Sequence, residues 1–360
     1  MNTKIHILFT IPNFDTAGSG KVVYDLVNQL DTSRFKVSIA CNHDSGAFFK
    51  TVAALGVPIH LINTTVPLRP YHTLLKRIKP YRDLLKNEKV DIVHSWNWSS
   101  DWSEALACKL VGIPFVYTKK SMGWGNKHWH IRSYLSAFII TVNSDMKSFF
   151  SRKRQQKLIP FGLDLEQYNP IRCDQTKKTN VFKIITVANL VRVKNIEFLI
   201  TAINALRHLH ITLEIVGDTR GDYARELQRF VADLKLESQV QFLGRHADVR
   251  PLLASSDLYV IPSKQEGMPM ALVEAMAMAV PVLGANVAGV RYVLQDFNDL
   301  QFDLDDLQSL VLQIEKQFYL SVEARLTLGA QLRDYCKQHF SMKTFINAHE
   351  NLYLKLVRNK

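Results

Sequence analysis

The sequence predicts an α/β protein of two doubly wound domains, and three observations support this fold class. Short apolar runs rich in β-branched residues alternate with amphipathic helical stretches, as expected for parallel sheets covered by helices on both faces. The alternation comes in two series with a break between them. At 360 residues, the chain is also longer than a single hydrophobic core usually organises.

The predicted elements follow one another in a regular order. In the first series, strand-like runs lie at 4–10, 36–40, 58–62, 91–95, 114–118 and 138–142. In the second series, they lie at 182–189, 211–217, 240–244, 257–262 and 280–284. Helical periodicity fills the intervals, as in VVYDLVNQL (22–30) and IEFLITAINALRHL (196–209).

The break between the two series lies between Pro160 and Lys178, where periodicity is lost and proline, asparagine and charged residues gather. We therefore expect an N-terminal domain over 1–165 and a C-terminal domain over 178–340. A final amphipathic helix over 343–357 is expected to pack back on the first domain.

Charge is distributed unevenly along the chain. Residues 1–178 carry 25 Lys and Arg against 13 Asp and Glu, an excess of 12 that accounts for the whole net charge of +12. The stretch 67–89 is basic and amphipathic, so binding to an anionic membrane surface and a merely solvated helix face both stay open. No base-reading or stacking motif accompanies the charge, which argues against nucleic acid as a partner.

Cysteine usage and hydropathy predict the compartment. The four cysteines are scattered, as in a reduced protein. The N-terminal apolar run is too short for a signal peptide, and the run from Ala275 to Val290 is too short to span a membrane. We expect a cytoplasmic protein, with peripheral binding at the inner face of the cell membrane left open.

Two carboxylates, Glu266 and Glu274, stand just before that apolar run, where charged groups are costly unless something binds them. A strand ends at Pro262 and a helix begins near Pro269, and ligands of parallel sheets bind beyond such strand ends. A helix N-terminus favours an anion such as a diphosphate, and carboxylates accept hydrogen bonds from sugar hydroxyls. The alternative is that Glu266 only offsets the helix dipole and Glu274 lies on the surface.

The segment 240–290 contains the pattern EGxPxxxxEAMA in full from Glu266 to Ala277, and it resembles the family 4 retaining glycosyltransferases. The resemblance covers nearly the whole chain. It implies the GT-B fold, in which two Rossmann-like domains face each other across a cleft. It also implies that Glu266 contacts the transferred sugar and Glu274 the donor ribose, with Gly267 and Met268 beside the donor.

The stretch VANLVRVKNIEFLI resembles the strand-to-helix turn in which that family carries an arginine and a lysine for the donor diphosphate. Lys194 matches the lysine and is expected to act in catalysis, because the leaving diphosphate carries negative charge that must be stabilised. Asn189 stands at the usual arginine position, and Arg192, three residues on, is the candidate substitute. The alternative for Lys194 is an ordinary surface lysine at a helix start.

A short glycine turn, TAGSGKVVYDL, follows the first predicted strand. Its glycines would let the backbone approach a phosphate, although the spacing and Val22 exclude a Walker loop. In the family this loop faces the donor diphosphate. Gly18, Ser19 and Gly20 are therefore candidate donor-binding residues.

Candidates for the acceptor side cluster in the second half of the first domain. His94 ends a strand where the family often has a histidine near the acceptor, and it is a catalytic candidate, although a structural role is equally open. Where the family carries a T-x-H pattern, Thr118 is here followed by Lys119 and Lys120, so Lys120 would place a cation near the acceptor.

All five tryptophans fall between residues 96 and 129. Such a cluster at strand ends can form an aromatic platform for a sugar ring or a lipid headgroup, and the alternative is core packing. The acceptor-side candidates are Trp96, Trp98 and Trp124.

The resemblance implies a retaining glycosyltransferase that moves a sugar from a UDP- or GDP-linked donor to a glycan or lipid-linked acceptor in cell-surface polysaccharide synthesis. No metal or other cofactor is expected, because Asp303 or Asp305 of the D-x-D sequence is predicted to cap a helix. Two alternatives stay open. One is a nucleotide-sugar 2-epimerase of the GT-B fold, and the other is a catalytically silent nucleotide-sugar-binding protein, suggested by Asn189 and Lys120.

Overall fold

A computed structural model describes residues 4–15, 17–123, 126–170 and 181–358. The chain divides into two compact units: unit 1 comprises Met1–Pro160 and Phe345–Lys360, and unit 2 comprises Phe161–Thr344. Each unit is built around one parallel β-sheet with flanking helices. The two doubly wound α/β domains that the sequence predicts are therefore confirmed.

Unit 1 contains a seven-stranded sheet in the order β3-β2-β1-β4-β5-β6-β7. The strands are β1 (Ile5–Thr10), β2 (Phe35–Cys41), β3 (Ile59–Leu61), β4 (Ile92–Ser95), β5 (Phe115–Lys119), β6 (Phe138–Thr141) and β7 (Gln156–Leu158). The helices are α1 (Ala17–Gln29), α2 (Phe49–Ala53), α3 (Leu74–Arg77), α4 (Lys79–Asn87), α5 (Ser103–Val111) and α6 (His128–Leu135).

Unit 2 contains a six-stranded sheet in the order β10-β9-β8-β11-β12-β13. The strands are β8 (Phe182–Val187), β9 (Ile211–Val216), β10 (Val240–Gly244), β11 (Leu258–Ile261), β12 (Val282–Ala285) and β13 (Gln301–Phe302). The helices are α7 (Ile196–Ala205), α8 (Asp222–Asp233), α9 (Arg250–Ala254), α10 (Met270–Ala277), α11 (Ala288–Val293), α12 (Leu307–Tyr319) and α13 (Val322–His339).

The central strands form where apolar and β-branched residues run without interruption, because a parallel sheet is buried on both faces. The sequence analysis missed β7 and β13, which are short edge strands. A strand of two or three residues shows no periodicity, so its pairing depends on the neighbouring strand already being in place.

The last helix, α14 (Met342–Arg358), belongs to unit 1 from Phe345 onward. The carboxylate of Glu350 accepts hydrogen bonds from the Asp31 backbone N–H at 2.9 Å and from the Arg34 guanidinium at 3.2 Å. Within the described part of the chain, no helix is long and apolar enough to cross a membrane.

Both sheets reverse their strand order at one point, between β1 and β4 in unit 1 and between β8 and β11 in unit 2. Ligands of such sheets bind beyond the carboxyl ends of the strands at this switch point. The glycine turn 18–20 follows β1, and Trp96 and Trp98 follow β4. In unit 2, Lys194 follows β8 and Glu266 follows β11.

Candidate functional site

A strand, a loop and a helix position two carboxylates in unit 2. β11 ends at Ile261, and α10 begins at Met270 with Pro269 directly before it. Proline is tolerated there because its missing N–H group would have no helical partner. Glu266 therefore lies in the loop beyond β11, and Glu274 lies in the second turn of α10.

Glu266 is buried and paired with a cation. Its Oε1 atom accepts a hydrogen bond from Nζ of Lys194 at 2.7 Å. Lys194 ends a short 3-10 turn after β8, so the pair joins the two strands on either side of the switch point. The lysine side chain is 24% exposed and the glutamate 9%. A ligand anion could therefore approach the lysine from solvent and replace the carboxylate as its partner.

The loop that carries Glu266 is held by a close backbone contact. Gly289, in the first turn of α11, donates its N–H to the Glu266 carbonyl at 3.1 Å. A Cβ at position 289 would lie 2.6 Å from the Gly267 carbonyl oxygen and 2.7 Å from that of Glu266. Side-chain carbons do not approach this closely, so only glycine lets α11 support the loop.

Two tyrosines lie near the carboxylates. Glu274 is hydrogen-bonded to the phenol of Tyr168, whose pKa is raised by burial and then by that carboxylate. Tyr259 on β11 is fully buried, and its hydroxyl has no hydrogen-bond partner among the described residues. Burial raises the pKa of Tyr259, and the charges of Glu266 and Glu274 raise it further. Both carboxylates therefore lie within electrostatic reach of one side chain.

The group formed by Glu266, Glu274 and Lys194 suits a ligand with both hydroxyls and negative charge. Carboxylate oxygens accept hydrogen bonds from hydroxyls, and the ammonium group attracts an anion. The site lies at the carboxyl edge of the sheet, where nucleotides bind in doubly wound folds. Its chemistry therefore matches that of a sugar joined to a nucleoside diphosphate.

Other predicted donor-side residues lie around this group. The Arg192 guanidinium binds Glu226 at 2.6 Å and lies over the Tyr223 ring, so it is directed toward α8 in this structure. Asn189 is exposed in the loop after β8. The Met268 sulfur is buried and accepts a hydrogen bond from the Phe161 N–H at 3.0 Å.

In unit 1, the predicted glycine turn opens α1. Gly18 has non-helical backbone angles, with φ −14° and ψ −109°, and it is exposed. Ser19 is half-buried, whereas Gly20 is buried, and a Cβ at position 20 would lie 3.0 Å from the Phe14 ring. The part of these three residues in donor binding stays a prediction.

The geometry does not support His94 as a catalytic residue. Its side chain is fully buried, and its two ring nitrogens are hydrogen-bonded to the Tyr353 hydroxyl at 2.6 Å and the Thr118 hydroxyl at 2.7 Å. The His349 ring of α14 stacks on it, with centroids 5.6 Å apart. Both nitrogens are used within unit 1, so His94 is a packed core histidine that connects β4 to α14.

The tryptophans that the sequence groups together differ in exposure. Trp96 and Trp129 are buried in unit 1, which is core packing. Trp102 is half-buried and donates its Nε1–H to His128 at 3.0 Å. Trp98 is 53% exposed at the carboxyl end of β4 and is the described tryptophan best placed to meet a ligand. Trp124 lies outside the described residues.

Lys120 lies between two of these indoles. Its ammonium group is 5.5 Å from the centres of the Trp96 and Trp98 rings, and it donates to the Trp96 carbonyl. Burial, with a smaller contribution from the charge of Arg132, lowers the pKa of Lys120 to about 7. A lysine at this place can thus be neutral or charged near physiological pH, and its predicted acceptor-side role stays a prediction.

The sequence analysis missed a buried ion pair at the switch point of unit 1. The Glu104 carboxylate accepts hydrogen bonds from Thr10, from Ser95 at 2.7 Å and from Arg132 at 3.3 Å. Both charged side chains are fully buried. Burial raises the pKa of Glu104, while Arg132 and the two hydroxyls act in the opposite direction. The sequence did contain a signal for this pair, because Glu104 is an isolated acidic residue in the mostly apolar stretch SEALACKL (103–110).

The D-x-D sequence has no metal-site arrangement in the structure. α12 is capped by Asp306, whose carboxylate accepts from the Gln308 N–H at 2.9 Å, so the predicted cap at Asp303 or Asp305 is wrong. The cap must directly precede the first helical residue, which is Leu307. Within the described residues, no group of three or more His, Cys, Asp or Glu could hold a metal ion.

Two family models match the chain. Glycosyltransferase Family 4 matches residues 16–167, and Glycosyl transferases group 1 matches residues 181–317. The first match falls in the N-terminal half and the second covers the carboxylates and Lys194. Together they account for most of the chain.

Known proteins and solved structures are similar along nearly the full length. The UDP-Gal:alpha-D-GlcNAc-diphosphoundecaprenol alpha-1,3-galactosyltransferase of Escherichia coli is 24% identical over 92% of this chain and 92% of its own. A glycosyltransferase of Rickettsia africae has a TM-score of 0.88 at 18% identity, covering 99% of this chain and 100% of its own. Anabaena HepE in complex with UDP and glucose has a TM-score of 0.78 at 19% identity, covering 96% and 98%. These structural likenesses confirm the predicted GT-B class.

Proposed function

Because the chain belongs to the family 4 glycosyltransferases, we propose that it transfers a sugar from a nucleoside diphosphate donor with retention of the anomeric configuration. The observation that carries the proposal is the Glu266–Lys194 pair, together with Glu274, whose charge acts on the same buried Tyr259 as that of Glu266. Glu266 would accept hydrogen bonds from the transferred sugar, and Glu274 from the donor ribose. Lys194 would leave Glu266 for the diphosphate.

The proposed reaction needs no protein nucleophile. The acceptor hydroxyl attacks the anomeric carbon from the face that the diphosphate leaves, the bond to the phosphate oxygen breaks, and that oxygen takes the acceptor's proton. Lys194 would stabilise the charge that develops on the departing diphosphate, while the carboxylates hold the sugar in place. The charge of Lys194 meets the diphosphate directly, so we propose that transfer requires no metal ion or other cofactor.

For the acceptor, we propose a glycan or lipid-linked precursor of a cell-surface polysaccharide. Support comes from the Escherichia coli relative, whose name gives a diphosphoundecaprenol-linked acceptor. The excess positive charge of the first half of the chain also suits an anionic acceptor and peripheral binding at the cytoplasmic face of the cell membrane. Trp98 and Lys120 are the proposed contacts on the acceptor side.

The donor site is tested by thermal unfolding of the purified protein with UDP, GDP and ADP. A nucleotide present at about a hundred times its Kd should stabilise the fold by about 2.7 kcal/mol, which raises the midpoint by several degrees. We expect one nucleotide to do so, and the Glu274→Ala and Lys194→Ala variants to lose the effect. Glu237→Ala removes an exposed carboxylate of the same unit and serves as the matched control.

If no nucleotide shifts the midpoint of the folded wild type, the donor-site assignment is wrong. Retention is tested separately, with UDP-galactose and a short polyprenyl diphosphate-linked N-acetylglucosamine as probes. An α-linked product from the α-linked donor supports retention, and a β-linked product refutes it. Incubation of the donor alone distinguishes the epimerase, which would change the nucleotide sugar without any acceptor.

A further inference from the structure

One surface of unit 1 combines exposed aromatic and basic groups. Tyr134 on α6 is 82% exposed. It lies between two open grooves of about 460 Å³ and 500 Å³, and both grooves are lined by Tyr134 and Lys153. They therefore form one continuous surface, bounded by the end of α5, by α6 and by the segment 149–153. We call it the Tyr134 surface.

The Tyr134 surface is positively charged. Its described lining residues include Lys109, Arg152 and Lys153 and no acidic residue. Neither Lys109 nor Arg152 forms an ion pair within the described part of the chain. The surrounding sequence has the same bias, because residues 105–160 contain ten Lys and Arg and a single acidic residue, Asp145.

Two of these cations repel each other across one groove. Lys153 is half-buried and donates from Nζ to the Ser136 carbonyl at 2.5 Å. Burial lowers the pKa of Lys153, and the charge of Lys109 lowers it further. An anion bound between the two lysines would offset both effects, since it would supply a counter-charge that the described lining residues do not.

The apolar part of the surface suits a lipid headgroup region. A tyrosine exposed to this degree presents a flat apolar ring with a polar tip, the type of side chain enriched at membrane–water interfaces. Ile131 and Leu110, which follow the lining residues His130 and Lys109 in the chain, are also exposed. Lysine and arginine around such a ring can reach lipid phosphates while their aliphatic stems contact apolar groups.

We infer that the Tyr134 surface docks on an anionic phospholipid bilayer, with Tyr134 in the headgroup region and Lys109, Arg152 and Lys153 on lipid phosphates. This inference rests on the peripheral membrane binding proposed above and assigns it to one surface, and it needs neither donor nor acceptor. It also places docking on α5 and α6 and not on the basic stretch 67–89. Some of the cations in that stretch already have partners within it.

Two cations of the stretch 67–89 are bound by groups of the same stretch. Lys79 is bonded to Asp83 at 2.5 Å, and the Arg77 guanidinium donates to the Arg69 and Pro70 carbonyls at 2.8 Å and 2.9 Å. These cations hold their own segment together. The stretch still exposes Tyr71, Leu75 and Lys76, so it is the natural competitor in an experiment.

The test is co-sedimentation of the full chain with vesicles of phosphatidylcholine alone and of phosphatidylcholine mixed with phosphatidylglycerol. We expect binding to the mixed vesicles only, weakened at high salt because the charges are screened. Tyr134→Ser/Lys109→Gln should weaken binding at least tenfold, of which the lost cation accounts for about fivefold. Tyr319→Ser/Lys316→Gln, which changes an exposed tyrosine and an exposed lysine on α12 of unit 2, should bind as the wild type does.

A third variant, Tyr71→Ser/Lys76→Gln, decides between the two surfaces of unit 1. If it weakens vesicle binding more than Tyr134→Ser/Lys109→Gln does, the inference is overturned. The same holds if the wild type does not bind the mixed vesicles. A dimer in sedimentation velocity that is lost in the Tyr134 variant would identify a second copy as the occupant and also refute the inference. UDP binding and the unfolding midpoint of each variant show that folding and the donor site are intact.

Discussion

Removal of the negative charge from Glu104 should destabilise unit 1 severely. Glu104 and Arg132 are both fully buried, and the guanidinium is also held by the Asp101 carbonyl and the Ser95 hydroxyl. Glu104→Gln keeps the size and the oxygen acceptor but leaves the arginine charge without a counter-charge. Breaking a buried pair from one side costs about 3–5 kcal/mol. This is at least about a fifth of the stability of an ordinary domain, which is about 5–15 kcal/mol.

The paired substitution gives the sharper comparison. Glu104→Leu together with Arg132→Met removes both charges, so no uncompensated charge stays buried. The hydroxyls of Thr10 and Ser95 then lose an acceptor, at about 1 kcal/mol each. We therefore expect the double variant to lose about 2 kcal/mol, less than Glu104→Gln alone.

The measurement is urea unfolding followed by tryptophan fluorescence. All five tryptophans lie between residues 96 and 129, within unit 1, so the signal reports the unfolding of that unit. UDP binding to unit 2 should be unchanged and controls for general damage. A loss below about 1 kcal/mol in Glu104→Gln, or a double variant less stable than the single one, would refute the reasoning.

Three further substitutions test side chains whose surroundings the structure defines. Lys120→Met should raise the stability of unit 1, and the gain should be largest below pH 7, where the buried wild-type lysine is charged. The gain should shrink as the pH rises from about 7 toward 10.5, because the wild-type lysine is then neutral in the folded state. Urea unfolding at about pH 6 and pH 9 measures this difference. His94→Ala should destabilise unit 1 by about 3 kcal/mol, because packing and the hydrogen bonds to Tyr353 and Thr118 are lost. The affinity for UDP should be unchanged, and weaker UDP binding would contradict the assignment of His94 to the core. Gly289→Ala should weaken UDP binding and lower the free energy of unfolding by about 1–3 kcal/mol. UDP binding is measured by calorimetry, and an affinity equal to that of the wild type would show that the close approach of α11 to the Glu266 loop is not needed.

The carboxylate site was predictable because its signals are local. Glu266 and Glu274 belong to one strand, one loop and one helix, and the apolar run beside them makes their charge conspicuous. Lys194 follows another strand in the same way. Their contact spans 72 residues of chain, but it follows from topology, since β8 and β11 are neighbours at the switch point.

The sequence analysis left the role of His94 open and missed the Glu104–Arg132 pair, because both depend on contacts that no local pattern encodes. Whether His94 is open to a substrate depends on α14, which supplies Tyr353 and His349 more than 250 residues later. The partner of Glu104 is fixed by the packing of α5 against α6 and by the rotamer of Arg132. A periodic pattern shows that a helix has a buried face, but it does not show which side chains meet there.

The two carboxylate–cation pairs at the switch points differ in whether they could exchange partners with a ligand. Each pair lies at the switch point of its sheet, yet Glu104 and Arg132 are sealed while Lys194 is partly open to solvent. A sealed pair cannot change partners without exposing a buried charge, so it can only hold strands and helices together. We expect the Glu266–Lys194 pair to exchange, because a diphosphate could reach the lysine from solvent and the released carboxylate would gain the hydroxyls of the sugar. We therefore expect the same arrangement of charges to stabilise the fold in unit 1 and to bind the donor in unit 2, with the exposure of the cation deciding between these roles.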